Sequence, residues 1–195
     1  IRDDVESRGL GDVYKRQSED WMLETFHHSY MSWIDATLQA AMSCEYLIMM
    51  AEELGISDDV DALKDEYDNL VRFVNEKMWS EKDGFYYDLK ADGSFLAVKT
   101  VAAFWALIAK IAPPDRVDAL CRHLEDKNEF NRPNRVPALS ADHPDYKDNG
   151  GYWNGGVWAP TNYMVLCGLS ANGKEKLAKD IAECCYQNAI EVYKK

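Results

Sequence analysis

Residues Thr100–Ala112 read TVAAFWALIAKIA, with Lys110 the only charged side chain among them. Wound at 3.6 residues per turn, this segment is apolar at nearly every angle, the signature of a helix buried on most sides. Pro113 and Pro114 break it. The next segment, Asp115–Glu125, carries only a stripe: Val117, Leu120, Cys121 and Leu124. The same pairing recurs outward in both directions. Upstream, Trp33–Leu54 is apolar around nearly the whole helix and Gly55 supplies its stop. It is followed by Asp59–Trp79, striped at Val60, Leu63, Tyr67, Leu70, Val71, Val74 and Met78, with Lys64, Asp65, Asp68 and Arg72 left to water. Downstream, Val157–Leu169 is mostly apolar, and Lys174–Tyr193 is striped at Leu177, Ile181, Cys184, Asn188 and Val192. Asn172–Gly173 makes the turn between those two.

About six helices therefore alternate between fully buried and one-face buried. Hairpins of an inner and an outer helix set around a ring explain that order. Inner helices touch neighbours on both sides as well as the outer layer, and outer helices touch protein on one face. The expected fold is all-α, a partial (α/α)6 toroid of about three inner/outer hairpins. A plain solenoid of three hairpins gives the same alternation, but no repeated signature favours it. One small β-hairpin interrupts between the second and third helices. Asp83–Gly84 and Asp92–Gly93 are turns, and Phe85–Leu89 and Ser94–Val98 read as short strands.

The bulk numbers exclude several classes. A chain of 195 residues with 47% apolar and 12% aromatic residues forms one globular domain. Its net charge of −12 opposes nucleic acid and anionic membrane and suits a neutral or cationic small molecule. The longest apolar run is too short to span a bilayer. The five cysteines are odd in number, lie in helical patterns and lack metal-ligand spacing, so they read as reduced thiols of a cytoplasmic protein. The ends read as unnatural. Ile1–Gln17 (IRDDVESRGLGDVYKRQ) has no period and resembles translated adaptor sequence at the edge of a metagenomic reading frame, or a disordered tail. Residues 18–195 are expected to be a fragment of a larger domain.

Gly150–Tyr163 packs four glycines, four aromatics and two amides into fourteen positions. Glycines let a backbone turn tightly and approach a ligand. Aromatic faces beside amides suit a sugar, which has apolar C–H faces and a rim of hydroxyls; the structural alternative is a glycine-rich loop whose indoles cap a core. This run closes a long irregular stretch, Lys127–Gly156, of a length that compact domains keep for function or disorder. His27–His28 and Asp142-His143-Pro144-Asp145 are weak metal candidates, the latter better read as a turn. No cofactor or metal is expected.

Three segments carry a family resemblance: Ser32-Trp-Ile-Asp-Ala-Thr-Leu-Gln39, Met78–Asp88 (MWSEKDGFYYD), and Val136–Ser140 continuing through Tyr152–Tyr163 (YWNGGVWAPTNY). From about Ser29 onward the chain resembles the (α/α)6 glycoside hydrolases of the trehalase and processing α-glucosidase clan. Within that clan it is most similar to the bacterial mannosylglycerate- and glucosylglycerate-hydrolase-like branch. The resemblance implies hydrolysis of an α-glycosidic bond with inversion, on a short glucosyl or mannosyl substrate. That reaction uses two carboxyls about 6.5–9.5 Å apart, one acid and one base.

The sequence departs from the family where those carboxyls belong. The family's acid lies in an Asp-(Asn/Phe)-Ser-type motif ahead of Trp33–Asp35, and Glu19, Asp20 and Glu24 lack that context. The family's base lies in a Trp-Glu-Asn-Tyr-like loop, and Lys195 comes before it. No residue here is assigned as catalytic. Trehalases also carry Gln-Trp-Asp where this chain reads Tyr152-Trp153-Asn154, which argues against trehalose itself.

The substrate-binding candidates are Trp33, Asp35, Gln39, Tyr152, Trp153, Asn154, Trp158 and Asn162. Trp153 is the expected stacking platform, with Tyr152 and Trp158 as walls. Asn154 and Asn162 each offer a donor and an acceptor to sugar hydroxyls. Asn162 alternatively satisfies backbone freed by Pro160. Asp35 binds a hydroxyl or caps its helix, with Gln39 one turn along the same face. The competing function is a helical-hairpin interaction module without catalysis, which has no use for the aromatic–amide loop. A sugar epimerase on the same toroid would want histidines on inner helices, and none of His27, His28, His123 and His143 clearly lies on one.

Overall fold

The computed structural model describes residues 31–194. The expected alternation is present. Helix α1 (Ile34–Leu54) and helix α2 (Val60–Lys77) form the first hairpin. A 3₁₀ turn (Val101–Phe104) running into the one-turn helix α3 (Trp105–Ile108) is followed by α4 (Pro114–Glu125). Helices α5 (Ala159–Ala171) and α6 (Glu175–Tyr193) make the third hairpin. The inner elements pack in a row, α1 against α3 and its 3₁₀ lead-in, and these against α5. The fold is part of an (α/α)6-type toroid.

Three details differ from the sequence reading. Thr100–Ala112 is not one long helix. The backbone winds as 3₁₀ and then a single α turn, and ends at Lys110, which takes a left-handed φ of 55°. Its composition predicted burial correctly, since Val101–Phe104 and Ala106–Leu107 are all buried, but burial does not dictate helix length. There are two small antiparallel hairpins rather than one. Strand β1 (Trp79–Ser80) pairs with β2 (Phe85–Tyr86), and β3 (Asp88–Leu89) pairs with β4 (Phe95–Leu96). Two-residue strands are too short to show alternation, so Trp79 read as the end of a helix. Helix α1 buries Ile34, Asp35, Leu38, Ala41 and Cys44, while Tyr46, Leu47, Met49 and Met50 are half exposed or more.

Close packing along the inner row needs small residues. A Cβ on Gly168 of α5 would sit 2.7 Å from Leu107 Cβ and 2.8 Å from Ile108 N, so only glycine allows α5 to approach α3 this closely. Just past the end of α5, Asn172 Nδ2 donates to both Leu107 O and Gly168 O at 2.7 Å, tying the two inner elements together.

The outer layer has its own tie. Asn75 on α2 donates to Ile111 O at 3.1 Å, and its Oδ1 accepts from Tyr86 Oη at 2.7 Å and from Arg116 Nη1 at 3.1 Å. Arg116 also lies over the Trp79 ring, 4.7 Å from its centroid. Between the layers, Phe85, Phe104 and Phe130 form a fully buried aromatic knot, with Phe104 edge-on to both of the others. Phe130 belongs to the long loop, so the knot anchors that loop to the helices.

Candidate functional site

Backbone hydrogen bonds tie down the segments that lead into the inner elements, in two separate sets. Ser32 exchanges two 3.0 Å hydrogen bonds with Leu89 on β3, which pairs with Phe95 on β4. In the second set, Ser140 N donates to Lys99 O at 3.0 Å, and Thr100 bridges to Leu139. Val101 N donates to Ala138 O, and Ala138 N donates to Gly156 O, both at 2.9 Å. Trp33 follows Ser32 of the first set, and Trp153 and Trp158 flank Gly156 of the second.

The turn that presents the indoles depends on two glycines. A Cβ on Gly155 would meet Lys147 O at 2.2 Å, and one on Gly156 would meet Tyr152 O at the same distance. Gly151 and Tyr152 take consecutive left-handed conformations (φ 43° and 57°). For a tyrosine that is a costly backbone state, of the sort held in place where a site is built. The result is a three-ring cluster. Trp153 and Trp158 stack with centroids 4.8 Å apart and planes 25° apart. Tyr152 meets Trp153 edge-on at 5.8 Å and Trp158 at 5.3 Å, and its own ring is largely exposed. Both indoles are half-buried against the core, and their Nε1 atoms are buried without a hydrogen-bond partner. The stacking leaves Tyr152 as the most accessible ring of the three.

The two asparagines are more buried than the rings. Asn154 is 3% exposed and gives its amide to Asp145 O at 3.3 Å; Asn162 is 4% exposed and gives its amide to Arg135 O at 3.1 Å and Cys185 Sγ at 3.0 Å. Each amide nitrogen thus donates within the protein, and both Oδ1 acceptors lack a partner. Asn162 does not serve backbone freed by Pro160. The carbonyl four residues before Pro160 is Gly156 O, and Ala138 N–H takes it.

Trp33 is the N-cap residue of α1 and is buried. Asp35 is buried too, and its Oδ1 accepts from Ala36 N at 2.9 Å. The first amide of the helix is capped from elsewhere: Ile34 N donates to Asp88 Oδ1 at 2.8 Å. Asp88 sits on β3, 54 residues away, so a search for local caps misses it. Gln39 is exposed and does not share the buried surroundings of Asp35.

A charge network centred on the buried Glu129 holds the long loop in place. Lys99 Nζ pairs with Glu129 and, at 2.8 Å, with Asp142 Oδ2. Glu129 also pairs with His123 Nδ1, while His123 Nε2 faces Asp83 O and Gly84 O at 3.0 and 3.2 Å. Burial alone would lower the Lys99 ammonium, but its hydrogen bonds to Asp142 and Glu129 outweigh that and raise it. Burial raises the Asp142 carboxyl, but hydrogen bonds from Lys99 and Ser140 prevail and hold it below the usual carboxylate value. His143 is pushed down by burial, and its Nδ1 accepts from Asp145 N at 3.2 Å, which makes this stretch a turn. Among the described residues, no three His, Cys, Asp or Glu side chains converge to hold a metal.

With this geometry in place, the comparisons decide the family. Residues 4–192 match the family described as the mannosylglycerate hydrolase MGH1-like glycoside hydrolase domain. The chain belongs to that family. This MGH1-like unit is 35% identical over 105 residues to a mannosylglycerate hydrolase of Thermus thermophilus, a match covering 53% of this chain and 25% of the relative. It is 23% identical over 176 residues to a probable mannosyl-oligosaccharide glucosidase of Schizosaccharomyces pombe, covering 84% of this chain and 21% of the relative. Its fold matches a crystal structure of GH63 mannosylglycerate hydrolase from Thermus thermophilus in complex with glucose. That match has a TM-score of 0.72 at 22% identity and covers 78% of this chain and 38% of that one. Neutral trehalase from Saccharomyces cerevisiae matches with a TM-score of 0.67 at 16% identity, covering 80% and 31%. The MGH1-like unit spans about a quarter of the length of the curated relatives it matches.

Proposed function

We propose that residues 18–195 are part of the catalytic domain of an inverting α-glycosidase acting on a short glucosyl or mannosyl substrate, trehalose- or glycosylglycerate-like in size. The described residues supply binding surface, and the acid and base come from polypeptide outside them. In this reading Tyr152 and Trp153 present an aromatic surface to the pyranose ring, backed by Trp158. The unspent Oδ1 atoms of Asn154 and Asn162 accept from donors nearby, and Trp33, Asp35 and Gln39 complete the wall from the start of α1. The observation that carries the proposal is the three-ring cluster on a turn that only Gly155 and Gly156 permit. A turn built at that cost for loop packing alone would not need to leave Tyr152 facing water.

A cytoplasmic location is part of this reading, and five cysteines outside any disulfide support it. Among the described residues, no helix is long and apolar enough to cross a membrane. The competing reading, an interaction module, rests on the exposed apolar faces of α1 and α5 and has no use for the aromatic–amide loop.

The test is to titrate glucose, trehalose and mannosylglycerate into the chain and follow tryptophan fluorescence. Saturable quenching is expected with at least one of them. Trp153→Ala should weaken it about tenfold, equivalent to about 1.4 kcal/mol, with the melting temperature little changed. Identical titrations for wild type and variant would remove Trp153 from the binding surface.

A further inference from the structure

Among the described residues, Asp59, Lys110, Val136 and Tyr152 are the non-glycines that take a left-handed backbone. Of these, Val136 is the β-branched one, the residue type for which that conformation is a true outlier. It is fully buried and has a φ of 57°. Pro137 follows it. A proline's φ is fixed at about −65°, so it cannot take up a chain reversal. A proline also pushes the residue before it toward extended backbone. Val136 therefore carries the reversal against both preferences. Such a state persists only where the structure on either side over-determines it.

Both sides are clamped. Ahead of Val136, Arg135 O accepts from Asn162 Nδ2 at 3.1 Å, and the Arg135 guanidinium donates to Asp180 at 2.8 Å and to Leu124 O at 3.1 Å. These bonds tie the chain to α5, α6 and α4. Val136 N donates to Phe130 O at 3.0 Å, and Phe130 belongs to the aromatic knot. Beyond Val136, Ala138 O accepts from Val101 N and Ala138 N donates to Gly156 O, both at 2.9 Å. Gly156 lies between Trp153 and Trp158 in the chain. We propose that Val136 is a positioning residue: its forced left-handed backbone aims Ala138 at Gly156 and so holds the Trp153–Trp158 stack in one arrangement. The role in positioning follows from the geometry alone; its effect on sugar binding rests on the function proposed above.

The test compares Val136→Ala with Val136→Gly. Both remove the buried isopropyl group, but only glycine takes this φ without strain. Val136→Gly should therefore melt above Val136→Ala, by about 2–4 °C. In ¹H–¹⁵N spectra without sugar, the indole signals of Trp153 and Trp158 should be single and sharp in wild type and Val136→Ala. They should broaden or double in Val136→Gly, whose backbone is free to leave the left-handed state. The Kd for a sugar that binds wild type should be about fivefold weaker for Val136→Gly than for Val136→Ala, because preorganisation is lost. Val136→Gly melting below Val136→Ala would overturn the strain, and sharp, unshifted indole signals in Val136→Gly would overturn the positioning. Equal Kd values for the two variants would overturn the effect on binding. Broadened indole signals in Val136→Gly, with no sugar bound by wild type, would uphold the positioning and remove the sugar reading instead. Should neither variant fold, the wild type decides: a strong cross-peak between the amide and α protons of Val136, with slow exchange of the Val101 and Ala138 amides, is expected. Absence of either would overturn the inference.

Discussion

The central inner element and its two flanking helices have similar composition and different surroundings. Val101–Leu107 is walled in by α1, α5 and the aromatic knot, while α1 and α5, equally apolar around their circumference, each leave one face in water. Apolar periodicity therefore reports how many neighbours a helix is built to have, and the structure reports how many it has here. Where the two agree, at α3, the protein has a finished core. Where they disagree, at the outward faces of α1 and α5, apolar side chains such as Met49, Met50 and Tyr163 stand exposed.

The sharpest way to break that comparison is a pair of truncations. Phe104→Ala removes a fully buried ring from the knot and should cost about 3–5 kcal/mol in urea denaturation. Met49→Ala, on the open face of α1, should cost under about 0.5 kcal/mol. Equal losses would mean the two regions are not different in kind. Gly168→Ala tests the closeness of α5 to α3. It improves helix propensity by about 1 kcal/mol, yet the new methyl would overlap Leu107, so the net result should be a loss of about 1–3 kcal/mol. A gain would show that the inner row is looser than described. Asp88→Ala should cost about 0.5–2 kcal/mol by removing the cap of α1, with Asp88→Asn recovering most of it; circular dichroism melts would measure both.

The smallest expected effect is on pH dependence. His143 has a lowered pKa in the folded state, so its contribution is complete above about pH 6.5 and fades as the pH falls below that. Asp142 is held below its ordinary value, so its contribution persists above about pH 4 and is lost as the pH falls through the folded-state value. The melting temperature should therefore decline in two steps on acidification. His143→Gln should remove the upper step and Asp142→Asn should shrink the lower, to which Asp92 and Asp118 also contribute.

Much of the fold was legible in the sequence because burial writes itself into periodicity. The stripes on α2 and α4, that on α6 as far as Asn188, and the Asn172–Gly173 turn fall where the pattern puts them, while Val192, expected on the α6 stripe, is exposed. What was not legible depends on partners distant in sequence. The early end of α3 at Ile108 follows from the packing around it, and the cap that Asp88 gives to Ile34 and the Lys99–Glu129 pair join residues that no local window contains. The aromatic loop announced itself by composition, and the structure brings Tyr152, Trp153 and Trp158 together as expected of neighbours. It also shows what composition could not: the indoles stack on each other, and the asparagine amides are committed to backbone carbonyls. Gln39 illustrates the limit of helical spacing as a guide. One turn separates it from Asp35, and that turn carries it from the core to the surface.

The central claim is that the turn near Gly156 is the carbohydrate surface of this MGH1-like unit. The most direct measurement is a ¹H–¹⁵N spectrum of the tryptophan side chains during titration with mannosylglycerate. The indole signals of Trp153 and Trp158 should move together and saturate, while that of Trp105, in the central element, stays still. Stationary Trp153 and Trp158 signals, with shifts confined to other tryptophans, would contradict it.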